Sequence, residues 1–344
     1  MTQDEASRGM NLMSLMGSAL LAQCLHVAAR LGLADRLAAG PMSVEALAEA
    51  ADCHSGPLLR VMRVLCKFGL FTMTEDGQFA NGPVGARLRT DHPRSLRHFC
   101  MLSGQEYYQG YGALLHTVQT GKSGLQHVYG GSIYEYMERT PETARVYDQA
   151  MYELSRDEAL ELAASYSFAG IGTVVDVGGG SGVIVRSILR AHPELRGICV
   201  ERADVCTRAR ASVAESDDAV LLDRLDFVAG DFFGALPGGG DLYIVKNVLH
   251  NWNDDSCVRI LESVHRAMPE GAKLLVVEHL IEADDSSLDR LMNAVLQVVI
   301  CEDGAASRNE LQMRTLLDRA GFRVSQVGKF AAGHNWLEAS RSQR

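Results

Sequence analysis

Five short apolar runs in the second half of the chain each carry a charged residue at or near their C-terminal end. The runs are rich in β-branched residues, as buried parallel strands are. In an open parallel sheet, ligands bind outside the carboxyl ends of the strands, so charges gathered there indicate a binding site. The charged residues are Asp176, Glu201, Asp231, Lys246 and Glu278.

A glycine-rich loop, Gly178–Gly182, follows the first of these runs. Such a loop lets a ligand approach bare backbone before a helix begins. It lacks the lysine of a P-loop, and Val183 stands where a dinucleotide motif has its third glycine. Glu201 suits a pair of ribose hydroxyls, because a carboxylate accepts hydrogen bonds from both. The loop and this acid together indicate a nucleoside without saying which one.

The pair Asp231-Phe232 follows the third run. A carboxylate can accept a hydrogen bond from an adenine amine while the neighbouring ring packs on the base. No feature of the sequence would hold a pyrophosphate strongly. This favours S-adenosylmethionine, which has no phosphates, over NAD, and a NAD-dependent enzyme stays as the alternative.

The runs predict the central elements of an α/β domain. Helical segments such as 183–191 and 257–267 lie between several of them, and strands that alternate with helices form a doubly wound parallel sheet. The five runs are Thr173–Val177, Gly197–Glu201, Asp226–Asp231, Asp241–Lys246 and Lys273–Glu278.

The first hundred residues predict helices closed by a hairpin. Ser43 caps a run with helical spacing, and residues 57–68 keep their apolar side chains on one helix face. Asp76-Gly77 between β-prone segments predicts a hairpin, so the pattern is typical of a winged-helix module. A nucleoside-sensing regulator that binds DNA through this module is a second alternative. Three basic residues stand on the second helix, but we interpret them as a solvated face and favour a structural or dimerising role. They are Arg60, Arg63 and Lys67.

Composition bounds the class of protein. With 344 residues, 47% hydrophobic, the chain can bury a sizeable core, and its formal charge of −10 argues against nucleic acid and weakly against an anionic membrane. Leu12–Ala29 is interrupted by polar residues, which predicts a helix buried against protein and not a membrane span. Eight scattered cysteines indicate buried free thiols, and no secretory signal is apparent, so we expect a cytoplasmic protein.

Four motifs, in this order, resemble those of the S-adenosylmethionine-dependent small-molecule O-methyltransferases. The family includes plant caffeate and flavonoid enzymes, hydroxyindole O-methyltransferases and bacterial antibiotic-tailoring enzymes, and the resemblance covers nearly the whole chain. The motifs are Val175–Gly182, Gly230–Phe233, Lys246–Asp254 and Leu274–Glu278.

The resemblance implies an α/β fold, a Rossmann-like doubly wound methyltransferase sheet with a helical winged-helix N-terminal dimerisation domain. The expected boundaries are 1–100 for the dimerisation domain and 101–344 for the methyltransferase domain, with linker helices at 101–165. The resemblance also implies a homodimer.

The resemblance further implies site residues. His250 matches the catalytic base of the family, and Glu278 matches a carboxylate that orients it. The residues expected to bind S-adenosylmethionine are Asp176, Gly178, Gly180, Glu201, Arg202, Asp231, Phe232 and Lys246.

The chemistry agrees with these roles. A sulfonium methyl group is already activated, so the enzyme needs in-line positioning and a deprotonated acceptor. A phenol with a pKa of about 10 benefits from a base at neutral pH, and histidine suits that task. Together with this chemistry, the resemblance implies metal-independent methyl transfer to a hydroxyl, phenolic in type, of a small molecule in bacterial secondary metabolism.

The sequence departs from the family pattern at two positions. Asn251 stands where many relatives have Asp, and Ser307 stands where the family usually has a second catalytic carboxylate. His250 is then expected to have Glu278 as its only acidic partner. A relative that keeps the cofactor without methylating is a further alternative.

Overall fold

The computed structural model describes residues 12–281, 287–331 and 333–342. The chain divides into two units, Met1–Tyr108 and Gln109–Arg344.

The first unit is helical with one hairpin. The side chain of Ser43 accepts a hydrogen bond from the amide of Ala46, and Gly77 (φ 75°) makes the turn between the two short strands. These are the predicted cap and hairpin. The helices are α1 Leu12–Met16, α2 Ser18–Arg30, α3 Leu33–Arg36, α4 Val44–Ala50, α5 Ser55–Lys67 and α6 Arg97–Gly104, with 3-10 turns at Leu37–Ala39 and Gly85–Leu88; the strands are β1 Phe71–Met73 and β2 Phe79–Asn81.

The first apolar run, which the sequence predicts to be buried against protein, is mostly not covered by the described residues of its own chain. Only Ala28 and Ala29 of α2 are buried, whereas Leu12 and Leu20 are each 73% exposed. By length and composition alone, Leu12–Arg30 could also cross a membrane. For a segment this near the N-terminus, that is weak evidence of a membrane span. An apolar pattern identifies a face to be covered without saying what covers it.

The second unit contains a seven-stranded sheet. The helices are α7 Glu106–Gly112, which begins in the first unit, α8 Leu114–Thr120, α9 Gly124–Tyr129, α10 Ile133–Arg139, α11 Pro141–Ser165, α12 Val183–Ala191, α13 Ala203–Ala214, α14 Asp254–Ala267, α15 Leu288–Ile300 and α16 Glu310–Arg319, with 3-10 turns at Ala219–Asp223 and Leu249–Asn251. The strands are β3 Thr173–Val177, β4 Arg196–Glu201, β5 Leu225–Ala229, β6 Leu242–Lys246, β7 Lys273–Glu278, β8 Phe322–Lys329 and β9 Asn335–Arg341.

The strand order is β5-β4-β3-β6-β7-β9-β8. The five predicted strands run parallel to one another, and the strand order changes direction between the adjacent strands β3 and β6. β9 pairs antiparallel with both β7 and β8. The sequence analysis predicts neither β8 nor β9. The Rossmann-like architecture is confirmed, with an antiparallel pair added at one edge.

Two apolar layers cover the sheet. One contains residues of α11, α12 and α13, and the other contains residues of α14 and α16. Because side chains alternate along a strand, Asp176 and Lys246 lie on the face of the first layer and Glu278 on the face of the second. The charges at the strand ends therefore divide between the two faces.

All eight cysteines are free thiols, as expected. Four are buried and four are only partly buried, so the expectation of burial holds for half of them. The buried ones are Cys199, Cys206, Cys257 and Cys301.

Candidate active site

The glycine-rich loop follows β3 in a left-handed backbone conformation. Gly178 has φ 73° and its amide donates to the carbonyl of Val200 at 2.9 Å, while Gly180 has φ 55°. A Cβ atom built at Gly180 would meet no atom within 4 Å. Glycine is the residue that adopts this backbone readily, and the loop offers open space against bare backbone.

Asp176 lies beneath this loop with only 1% of its surface exposed. Its Oδ2 atom has no hydrogen-bond partner among the described residues. Burial, only partly opposed by the charge of Lys246, raises the pKa of Asp176 to about 7. A buried acceptor without a donor is suited to a cationic ligand.

Glu201 ends β4 and lines an open cleft. Its Oε2 accepts from the amide of Arg202 at 2.8 Å, and burial raises the pKa of its carboxyl. The guanidinium of Arg202 contacts protein groups, donating to the carbonyl of Tyr134 and to Glu138, each at 3.2 Å. The cleft is lined by Tyr134, Tyr147, Asp148, Met151, Gly180, Ser181, Glu201, Arg202 and Val205.

Asp231 and Phe232 lie in the loop after β5. Asp231 is exposed, and its Oδ1 accepts from the amide of Phe233 at 2.9 Å. The ring of Phe232 lies 3.5 Å from where a Cβ of Gly178 would stand, and it contacts Trp252 edge to face. An aromatic surface thus adjoins the glycine-rich loop, as a stacked base requires.

Lys246 ends β6 and is buried. Its Nζ donates to Ser155 Oγ at 3.0 Å and lies 3.8 Å from Glu158 Oε2, both on α11. Burial lowers the pKa of Lys246, although the nearby carboxylates oppose this. Because side chains alternate along β3 and β6, the side chain of Lys246 lies on the same sheet face as Asp176.

His250 lies in the 3-10 turn after β6 and faces Glu278 at the end of β7. The distance between its Nδ1 and Glu278 Oε2 is 2.7 Å. The amide of Leu249 donates to Glu278 Oε1 at 2.9 Å. Burial alone would raise the pKa of Glu278. The charge and hydrogen bond of the His250 side chain, together with the backbone amides of His250 and Leu249, bring this pKa below its usual value.

Neither position that departs from the family pattern contacts the imidazole of His250 in the contacts of the described residues. Asn251 donates to the carbonyl of Asn247 at 3.3 Å and accepts from Cys301 Sγ at 3.1 Å. Ser307 Oγ donates to Gln297 at 2.5 Å. The acidic partner of His250 in these contacts is Glu278.

Several residues at the site are absent from the sequence-based prediction. Tyr134 and Tyr147 line the cleft, and the sequence analysis did not assign either to the site. Ser155 and Glu158 contact Lys246 from a helix that begins more than a hundred residues earlier. Arg308 follows Ser307 directly, and the sequence analysis gives it no role.

The described residues fit S-adenosylmethionine. The cofactor is cationic at sulfur and at its amino group, and Asp176 Oδ2 is a buried acceptor that no group of the described residues uses. The space over Gly180 admits a ligand against the backbone. Glu201 lines the adjoining cleft with a carboxylate suited to a ribose diol.

Comparison with known proteins agrees with this fit. Residues 111–323 match the model of the O-methyltransferase domain, and residues 13–91 match that of the O-methyltransferase dimerisation domain. A phenazine O-methyltransferase of Lysobacter antibioticus is 34% identical over 329 residues, covering 95% of both chains. A mitomycin biosynthesis 6-O-methyltransferase of Streptomyces lavendulae is 33% identical, covering 93% of this chain and 90% of the relative.

A solved structure extends the comparison to the cofactor. An O-methyltransferase from neocarzinostatin biosynthesis, solved with S-adenosylmethionine and a hydroxy-methyl naphthoic acid, has a TM-score of 0.83 and 29% identity over 96% of this chain and 99% of its own. These matches favour methyl transfer over the NAD-dependent and regulatory alternatives. The chain belongs to the S-adenosylmethionine-dependent O-methyltransferases that carry an N-terminal dimerisation domain.

Proposed function

We propose that this enzyme methylates a phenolic hydroxyl of a small aromatic molecule in bacterial secondary metabolism, with His250 as the general base. The observation that carries the proposal is the 2.7 Å contact between His250 Nδ1 and the buried carboxylate of Glu278. The relatives named for phenazine and for mitomycin biosynthesis support the substrate class.

The contact determines which imidazole nitrogen is available. If Nδ1 carries the proton that is donated to Glu278, the lone pair of Nε2 is free to accept a proton. Glu278 stays ionised because its pKa is lowered, so it also stabilises the imidazolium that forms. The pair is therefore suited to taking a proton from an acceptor hydroxyl.

S-adenosylmethionine supplies an activated methyl group when it is bound. The contribution of the protein is to hold the acceptor oxygen in line and to remove its proton. A phenolate and a sulfonium neutralise each other's charge as they react, so a site poor in water favours transfer. The aromatic side chains Phe232, Phe233 and Trp252 supply apolar surface beside the loop.

We also propose the cofactor contacts. Glu201 holds the ribose, Asp231 and Phe232 contact the adenine, and Arg202 orders Tyr134 at the edge of the cleft. The polar end of the cofactor lies toward the glycine-rich loop, Asp176 and Lys246. The enzyme works as a homodimer in the cytoplasm; the dimerisation domain supports the first statement and the eight free thiols are consistent with the second.

The test compares His250→Ala with His127→Ala, an exposed histidine of the same unit. Labelled S-adenosylmethionine and a panel of phenols report turnover, and calorimetry with S-adenosylhomocysteine reports cofactor affinity. We expect His250→Ala to lower turnover by at least about tenfold with little change in affinity, because a general base contributes roughly 10²–10⁴-fold. His127→Ala should behave as the wild type. An equal loss of turnover and affinity in His250→Ala would contradict the role of base.

A further inference from the structure

Arg308 is a buried cation that the proposed reaction does not use. Its side chain is 4% exposed, and it pairs with Asp254 at the start of α14, at 2.8 Å from NH2 to Oδ1. The guanidinium also donates to three backbone carbonyls. These belong to Leu249 at 3.0 Å, Trp252 at 2.8 Å and Ala306 at 3.1 Å.

Two of these carbonyls bracket His250. Leu249 precedes it directly, and Trp252 follows it by two positions, so the 3-10 turn that carries the imidazole lies between them. The peptide groups of Leu249 are engaged on both sides, because its amide donates to Glu278 and its carbonyl accepts from Arg308. The turn is therefore held between Glu278 on one side and the guanidinium of Arg308, 59 positions after Leu249, on the other.

Several hydrogen bonds from different elements hold the residues around this turn. Guanidinium donors lie in a fixed plane, so Asp254 and the two carbonyls fix one another's directions. Glu302 accepts from the amide of Asn253, and Asn253 caps α14 through the amide of Ser256. The thiol of Cys257 also donates to the carbonyls of Leu249 and Trp252, at 3.1 and 3.5 Å, but a thiol is a weak donor. Loss of Arg308 would therefore remove the charged donor of both carbonyls and loosen the turn.

We infer that Arg308 is a positioning residue that holds the His250 turn so that the imidazole faces both Glu278 and the acceptor hydroxyl. The inference rests on the proposed role of His250 as the base. A displacement of about 1 Å in a reacting group can cost roughly 100-fold in rate, so a residue that fixes the turn acts on catalysis without touching substrate.

Arg319 provides a matched control. It pairs with Asp255, the neighbour of Asp254, at 2.9 Å, so both arginines join the start of α14 to the region of α16. The Arg319 pair is exposed, and within the contacts of the described residues Arg319 donates to no carbonyl of the His250 turn. A general effect of losing an ion pair here would appear in both arginines.

The first measurement is spectroscopic and independent of turnover. Arg308→Lys keeps the charge but cannot reproduce the fork of donors, whereas Arg319→Lys serves as the control. The imidazole N–H that is donated to a buried carboxylate gives a downfield proton resonance, which His250→Gln assigns by its loss. We expect this resonance to move or broaden in Arg308→Lys and to stay in place in Arg319→Lys. An unchanged resonance in Arg308→Lys overturns the inference.

The second measurement uses a phenol from the acceptor panel and its dinitrated derivative, a nitrophenol that is already ionised at neutral pH. We expect Arg308→Lys to lose about tenfold in turnover on the phenol and much less on the nitrophenol, because the second substrate needs no base. A similar loss on both substrates points to a purely structural role and overturns the inference. Where Arg308→Lys does not fold, Asp254→Asn takes its place, with the same pattern expected at about threefold.

Calorimetry with S-adenosylhomocysteine separates this inference from the proposed function. Wild type and Arg308→Lys should bind it with similar affinity. Wild-type protein that does not bind, or His250→Ala that keeps full turnover, would contradict the proposed function itself. Failure of the Arg308 inference leaves both of those results intact.

Discussion

Two buried carboxylates at the same end of the sheet have pKa values shifted in opposite directions. Glu278 accepts from His250 and from backbone amides, so its pKa falls despite burial. Asp176 has an oxygen without a partner among the described residues, and burial raises its pKa to about 7. The opposite pKa shifts follow from the hydrogen-bond donors around each carboxylate. Protein groups already donate to Glu278, whereas Asp176 keeps an oxygen that a cationic ligand can bind.

Cofactor binding near pH 7 should release a proton from Asp176. With a pKa of about 7, the carboxyl is partly protonated in the free protein, and a cation beside it favours the ionised form. The raised pKa of Asp176 also makes the stability of the fold depend on pH. Its contribution to the free energy of unfolding is fully present below the pKa of the unfolded chain, near 3.8, and is lost as the pH rises toward 7.

Calorimetry with S-adenosylmethionine in phosphate and in Tris measures this release, since the two buffers differ in ionisation enthalpy. The observed binding enthalpy should differ between buffers for the wild type and be the same for Asp176→Asn. A wild-type enthalpy that does not depend on the buffer would show that Asp176 binds the cofactor without a change of charge.

At this scale the sequence predicts positions better than partners. The charges at the strand ends follow from where apolar runs stop, and the structure places Glu201, Lys246 and Glu278 as the last residues of their strands. The contacts of Lys246 with α11 and of Arg308 with the His250 turn join segments 91 and 59 positions apart. No local pattern encodes such contacts, because they depend on how helices are laid against the sheet.

Helix α12 approaches β4 closely at one residue. A Cβ atom built at Gly197 would stand 2.3 Å from Val185 Cγ2 and 3.1 Å from Leu189 Cδ1. Any side chain there would push the helix that follows the glycine-rich loop away from the sheet. The position of the loop thus depends on a glycine that lies outside it.

Gly197→Ala should lower the free energy of unfolding by about 1–3 kcal/mol, because it overpacks a buried contact. Gly112→Ala is the control, since a Cβ there meets nothing within 4 Å and the residue ends a helix. That change should be neutral or raise stability by about 0.5 kcal/mol. Urea denaturation followed by circular dichroism measures both, and equal stabilities of the two variants would refute the packing explanation.

The sequence predicts the five parallel strands but not β8 and β9. A buried parallel strand is a continuous apolar run, which is easily seen. In β8 the alternation of Phe322 and Val324 is interrupted before Val327, because the register shifts between Val324 and Gln326. A bulge of this kind adds a residue and breaks the period of two on which strand prediction depends.

At the scale of the whole molecule, α1 and α2 expose apolar side chains that the described residues of the chain do not cover. These side chains include Leu12, Met13, Met16 and Leu20. Residues 13–91 match a dimerisation domain, so a second copy of the chain is the partner that this match indicates. Large apolar side chains exposed together in this way mark an interaction surface.

Met16→Glu combined with Leu20→Glu should convert a dimer to a folded monomer in sedimentation equilibrium without detergent. Both side chains are exposed within the chain, so the circular dichroism spectrum should not change. Leu311→Glu, which is 74% exposed on α16, is the control and should leave the dimer intact. A double variant that still sediments as a dimer would place the interface elsewhere.

The position of β9 has a consequence for proteolysis. β9 lies between β7 and β8, and Asn335 at its start is paired with Glu278. A protease that cut the backbone shortly before residue 335 would leave β9 held only by non-covalent contacts, whereas β8 would stay attached to the chain through α16. Loss of β9 would uncover the backbone polar groups of β7. The carboxylate that faces His250 would lose its neighbour, so a nick far from the site in sequence would inactivate the enzyme as surely as a substitution within it.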